Sequence, residues 1–176
     1  MIPWLRRFAF PLALGGGLLA VLIVRPAPDS GPEQFARLDP PRYRPVPGMT
    51  DAAGPASAEF LDAVEAYQDS RWDLAAPLFA DAAEGAGDGT SRGREARLYE
   101  GLCRLFAGQA ADALSPLQVA ATEDTFEISI RARWYLAQAH LVLGDVDAAR
   151  PLLDDLSRTP AYARDASRQL AALQRH

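Results

Sequence analysis

The chain of 176 residues contains one cysteine and two histidines. Lysine and asparagine are absent altogether, so every one of its 18 basic residues is an arginine. Each scarcity excludes something. With Cys103 alone there is no intramolecular disulfide and no cysteine-built zinc cage. With only His140 and His176, histidine-dependent chemistry has very little to work with. The net charge of -5 leaves no basic surplus for phosphate backbones, which argues against nucleic acid as a partner. The first 25 residues carry three arginines and no acids, leaving 15 basic against 23 acidic side chains in the rest. The two missing residue types share A-rich codons, which points to a GC-rich genome and says nothing about mechanism.

What is present divides into three segments. Residues 1–25 form the first, in which Phe8 to Val24 carry no charge. Seventeen residues at a rise of about 1.5 Å reach about 25 Å, the short end of a membrane span. Trp4, Arg6, Arg7 and Arg25 stand where interfacial anchors belong. The segment therefore reads as a single transmembrane helix. A cleaved secretory signal and a buried soluble helix are the competing readings. Against cleavage, Arg25, Pro26 and Pro28 crowd the place of a small-x-small site. No cysteine follows the run, which excludes a lipoprotein anchor, and Ala9 stands where a twin-arginine signal wants a large apolar residue. The distribution of arginines leans toward a cytoplasmic amino terminus, so the expected location is a single-pass membrane protein with its body outside the cytoplasm. In a bacterium with two membranes that compartment is the periplasm.

Residues 26–56 are proline-rich, without apolar periodicity, and read as an extended linker. Within it "PPRYRPVPG", Pro40 to Gly48, interleaves arginine and tyrosine with proline. It reads either as a spacer whose Tyr43 packs on the body or as an extended ligand for a partner.

Residues 57–176 are a helical domain. "WYLAQAHLVLGDVDAARPLL", Trp134 to Leu153, forms two amphipathic helices about a Gly144-Asp145 corner, and the pattern recurs upstream with corners at Gly108 and Ser70. Three columns then align: a small residue seven positions before the corner (Ala63, Gly101, Ala137), alanine five after it (Ala75, Ala113, Ala149), and a large apolar residue four further on (Phe79, Leu117, Leu153). The alanines lie 38 and 36 residues apart. Pro77, Pro116 and Pro151 recur early in each second helix, where a missing amide costs least. "EGAGDGTSRGR", Glu84 to Arg94, reads as a mobile loop between the first two units, and the helix after Pro160 as a cap with Arg164, Arg168 and Arg175 outward.

From Ala58 to Pro160 the pattern resembles the tetratricopeptide repeat (TPR) family, whose unit of about 34 residues is a helix-turn-helix. Leu136, Ala137, Gly144, Ala149, Leu153 and Pro160 match that family's pattern best. His140 departs from it, where tyrosine is preferred, and so do Ser70, which replaces glycine, and Tyr67, displaced by one position. A non-repetitive helical bundle with alanine-rich seams is the alternative. The resemblance implies an all-α solenoid of about three hairpins plus a capping helix, and a concave groove lined by the first helix of each unit. The positions expected to face that groove are Phe60, Val64 and Tyr67; Leu98, Leu102, Leu105 and Phe106; and Trp134, Gln138 and Leu141. The alternative is that these side chains bury one another between units.

No catalytic constellation emerges. "GAGDGTS", Gly85 to Ser91, lacks the lysine and the preceding strand of a phosphate loop. Asp154 with Asp155, and Glu123 with Asp124, read as surface charges rather than acid-base pairs. The expectation is a non-enzymatic scaffold, with no cofactor, metal or small-molecule substrate, that binds a peptide or helix of a protein partner beside the membrane. A structural subunit of a bacterial envelope-assembly complex is one alternative, and a regulatory module of an anti-sigma-like membrane system another.

Overall fold

The computed structural model describes residues 38–45, 57–122 and 126–175. The expected anchor, most of the linker and the Glu123-Asp124 pair lie outside the described residues. Those described form an all-α structure of seven helices: α1 (Ala58–Gln68), α2 (Trp72–Ala86), α3 (Ser91–Phe106), α4 (Ala110–Ala121), α5 (Phe126–Val142), α6 (Val146–Leu156) and α7 (Ala163–Leu173). None of these is long and apolar enough to cross a membrane. Each helix packs on the next in the chain, and α3 packs also on α5.

The three corners share one backbone geometry. Ser70, Gly108 and Gly144 all adopt positive φ, at 59°, 79° and 76°. The amide after each corner reaches back to the carbonyl five residues earlier: Arg71 to Ala66 at 2.9 Å, Gln109 to Arg104 at 2.8 Å, Asp145 to His140 at 2.8 Å. This is the Schellman arrangement, which satisfies carbonyls orphaned at the end of the first helix and turns the chain. Asp145 then accepts the amide of Ala148 at 3.1 Å and caps α6.

Every residue of the three columns is buried. The reason is clearest at Gly101. A Cβ there would stand 2.5 Å from Cγ of Leu117 and 3.3 Å from the carbonyl oxygen of Ala113. Glycine on α3 and alanine on α4 thus allow the two helices to cross with backbone almost in contact. Pro77 and Pro151 occupy the sixth position of their helices and Pro116 the seventh. They lie past the first turn, so each removes one helical hydrogen bond, in contrast to the expectation that the helix start would excuse it.

The glycine-rich stretch from Glu84 to Arg94 is mostly helix rather than loop. Only residues 87–90 separate α2 from α3. Thr90 caps α3 by accepting the amide of Gly93 at 3.0 Å, and Asp88 pairs with Arg97 at 2.7 Å. A Cβ at Gly93 would collide with the carbonyl oxygen of Gly87, so glycine there lets the turn fold against the new helix. At the other end, α7 buries Ala166, Gln169 and Leu173 and exposes Arg164 and Arg168, and Arg175 just beyond it is exposed too.

Candidate functional site

The sequence expectation centred on ten side chains, and eight of them are buried. Leu98, Leu102 and Leu141 are fully enclosed, Leu105 nearly so, and all four belong to the apolar core. Val64 and Phe106 are half-buried against it. Phe106 packs on Trp72 and Tyr135, with ring centroids 5.5 and 6.0 Å apart. Trp134 stacks on Tyr162 at 5.0 Å. Gln138 forms a reciprocal amide pair with Gln169, at 2.8 and 3.2 Å, which ties the capping helix to α5. Phe60 and Tyr67 are buried as well, both against the chain's own linker.

That linker segment, residues 38–45, lies across α1, α3 and α5 without helix or strand of its own. Three tyrosine hydroxyls hold its backbone. Tyr135 donates to the carbonyl of Asp39 at 3.2 Å and Tyr67 to that of Pro41 at 2.7 Å. The Tyr99 hydroxyl accepts the amide of Arg44 at 3.2 Å and faces its carbonyl oxygen at 3.5 Å. Tyr43 enters between helices. Its ring lies 5.0 Å from that of Tyr99 and 6.4 Å from that of Phe60, and its hydroxyl donates to Glu95 at 3.4 Å. Pro41 sits at the C-terminal end of α1 and Tyr43 at its N-terminal end, so the segment runs antiparallel to that helix.

The chemistry suits a proline-bearing strand. Pro40 and Pro41 have no amide to satisfy, and the tyrosines bond instead to the carbonyls of Asp39 and Pro41 and to the amide of Arg44. Each such bond contributes about 1 kcal/mol net. Tyr43 adds the burial of an aromatic ring, and Pro40, Pro41 and Pro45 reduce the freedom lost on docking.

Tyr99 is the hub of the face. Besides Arg44 it accepts Nη2 of Arg131 at 2.9 Å, and the Arg131 guanidinium lies 5.5 Å from its ring centroid. Glu95, fully buried, takes Arg92 at 2.8 Å, and Arg92 in turn covers the Phe60 ring at 5.1 Å. Burial pushes all five tyrosines above the ordinary phenol range, so they are neutral donors throughout the physiological range. Burial likewise pushes the Cys103 thiol up to about 12, as expected of a packed cysteine rather than a reactive one. Among the described residues no group of three histidine, cysteine or acidic side chains is placed to hold a metal.

Sequence reasoning missed Tyr99, Tyr135, Glu95 and Arg131. A signal was there: Tyr99 and Tyr135 both stand nine positions before their corners, and Glu95 and Arg131 both stand thirteen before. In the columns at ten and six positions before the corner, Leu98, Leu102 and Trp134 turn into the core, Gln138 into its pair with Gln169, and Phe60 against both the core and Tyr43, while Val64 is half-buried. Comparisons of the chain with protein-family models, with curated proteins and with solved structures find no match.

Proposed function

We propose that this chain is a membrane-anchored, non-catalytic scaffold of the TPR kind. On this reading the first residues span the membrane and the helical domain lies outside the cytoplasm. The face of α1, α3 and α5 receives an extended segment of a partner protein. One observation carries this reading: the same face already holds residues 38–45 through contacts directed mainly at backbone atoms. The linker occupies the tyrosine contacts, so the partner segment lies beside it on the rest of the face, against backbone and aromatic groups of the same kind. The identical corner geometry of the three hairpins supports the repeat reading, since repeated units present their first helices side by side.

Site-specific photocrosslinking in intact membranes tests it. A crosslinking side chain at Arg42, exposed beside the groove, is expected to trap a discrete partner, whereas one at Asp154, exposed on α6, is not. Equal adducts from both positions, or none from either, would overturn the reading. Stoichiometric copurification of the trapped partner without crosslinking would instead identify a permanent structural subunit.

A further inference from the structure

The docked segment fills only part of the face. Between it and the C-terminal helices lies a cleft of about 790 Å³. Its lining includes Arg42 and Arg44 from the linker, Glu127, Ile130 and Arg131 from α5, and Tyr162 at the start of α7. Three guanidinium groups therefore meet one carboxylate, in a protein whose net charge is -5.

Arg131 is the unusual member. Its side chain is 11 % exposed, and its Nη2 bonds to a neutral phenol rather than to an acid. Its Nη1 makes no hydrogen bond, and Glu127 Oε1 stands 3.9 Å away, beyond hydrogen-bonding reach. That nitrogen is closed to water, so the weakly compensated charge acts on the cleft through its field rather than by a direct bond. Arg42 and Arg44 are exposed at the same cleft and add to its positive potential. Ile130 and Tyr162 supply apolar surface beside the charges.

We propose that this cleft binds an acidic segment of a partner protein, with a carboxylate taken by Arg42 and Arg44 in the field of Arg131 and a neighbouring apolar side chain against Ile130 and Tyr162. This rests on the groove reading above and specifies its ligand. Two of the three arginines belong to the linker, so the cleft exists only while residues 38–45 are docked. Ligand binding and linker docking therefore reinforce each other.

The test uses the full chain in nanodiscs and two labelled synthetic peptides, one alternating glutamate with valine and one alternating lysine with valine. Fluorescence anisotropy is expected to show binding of the glutamate peptide only, weakening with added salt. Reversing the two exposed charges, Arg42→Glu with Arg44→Glu, is expected to weaken it roughly tenfold or more, without touching the core. Arg131→Gln should do the same with the far-ultraviolet circular dichroism unchanged, and Tyr43→Ala should weaken it by releasing the linker. Equal binding of both peptides, or indifference to the charge reversal, overturns the proposal. The photocrosslink separates the two levels. If the charge-reversed chain, with the crosslinker at Ala161, which is exposed at the same cleft, still traps the wild-type partner, the acidic-ligand inference falls and the groove reading stands. If wild type traps nothing, both fall.

Discussion

At the scale of single residues, polar groups in this protein are placed where burial makes them selective. Gln138 and Gln169 are almost fully enclosed, at 0 % and 3 % exposure, and bond to each other through both amides. Removing one leaves the other buried and short of its partner, which costs about 1–3 kcal/mol. Gln138→Leu is therefore expected to destabilise the fold by about that amount, read by urea denaturation. Gln138→Leu combined with Gln169→Leu should recover most of the loss, because no amide is then left without its mate. A double variant as unstable as the single one would show that shape, not hydrogen bonding, governs the contact. Gly101 follows a different logic: its lack of a side chain sets how closely α3 and α4 approach.

At the scale of elements, the hairpin corner is the repeated device. Glycine takes the left-handed conformation without a Cβ penalty, while serine at φ 59° bears one of about 1 kcal/mol. Ser70→Gly is accordingly expected to raise the stability of the first hairpin by about 0.5–1 kcal/mol. Gly144→Ala should lower that of the third by about 1 kcal/mol or more. Thermal unfolding of both variants checks the pair, and a Ser70→Gly protein no more stable than wild type would show that Ser70 is not strained. The corners were legible in the chain because turn chemistry is local: Gly108 and Gly144 announce themselves, and Ser70 is found by register. The Glu84–Arg94 stretch was misread for the opposite reason. Its glycines suggest a loop, yet the packing of α2 and α3 and the Thr90 cap keep helix through most of it.

At the scale of the whole molecule, the five tyrosines form a titratable core shared by linker and helices. Their pKa values are raised by burial, so the folded protein retains protons that the unfolded chain would release. The stability they lend is whole below the ordinary phenol value of 10.0 and falls as pH rises beyond it. Alkaline titration should thus show tyrosinate absorbance appearing together with loss of helical ellipticity, rather than before it. Tyrosinate forming gradually while the helices persist would mean that the hydroxyls are open to water. In Tyr43→Ala, which frees the linker, part of the absorbance should appear earlier, since Tyr67, Tyr99 and Tyr135 lose the backbone that covers them.

The amino-acid sequence by itself determined the all-α class, the three corners, the small-residue columns and the capping helix. These depend on helical periodicity, turn preference and side-chain size, all readable within a few dozen residues. It did not determine which stripe of each first helix meets residues 38–45. Successive residues on a helix are about 100° apart, so columns adjacent in register point to different surroundings. Leu98 and Tyr99 differ by one position and both are fully buried in the core, yet only Tyr99 turns a hydroxyl to the linker. Only the tertiary structure decided that, together with the docking of residues 38–45. Tyr135 meets Asp39 across 96 residues of chain, and no local pattern encodes a contact made by packing helices side by side.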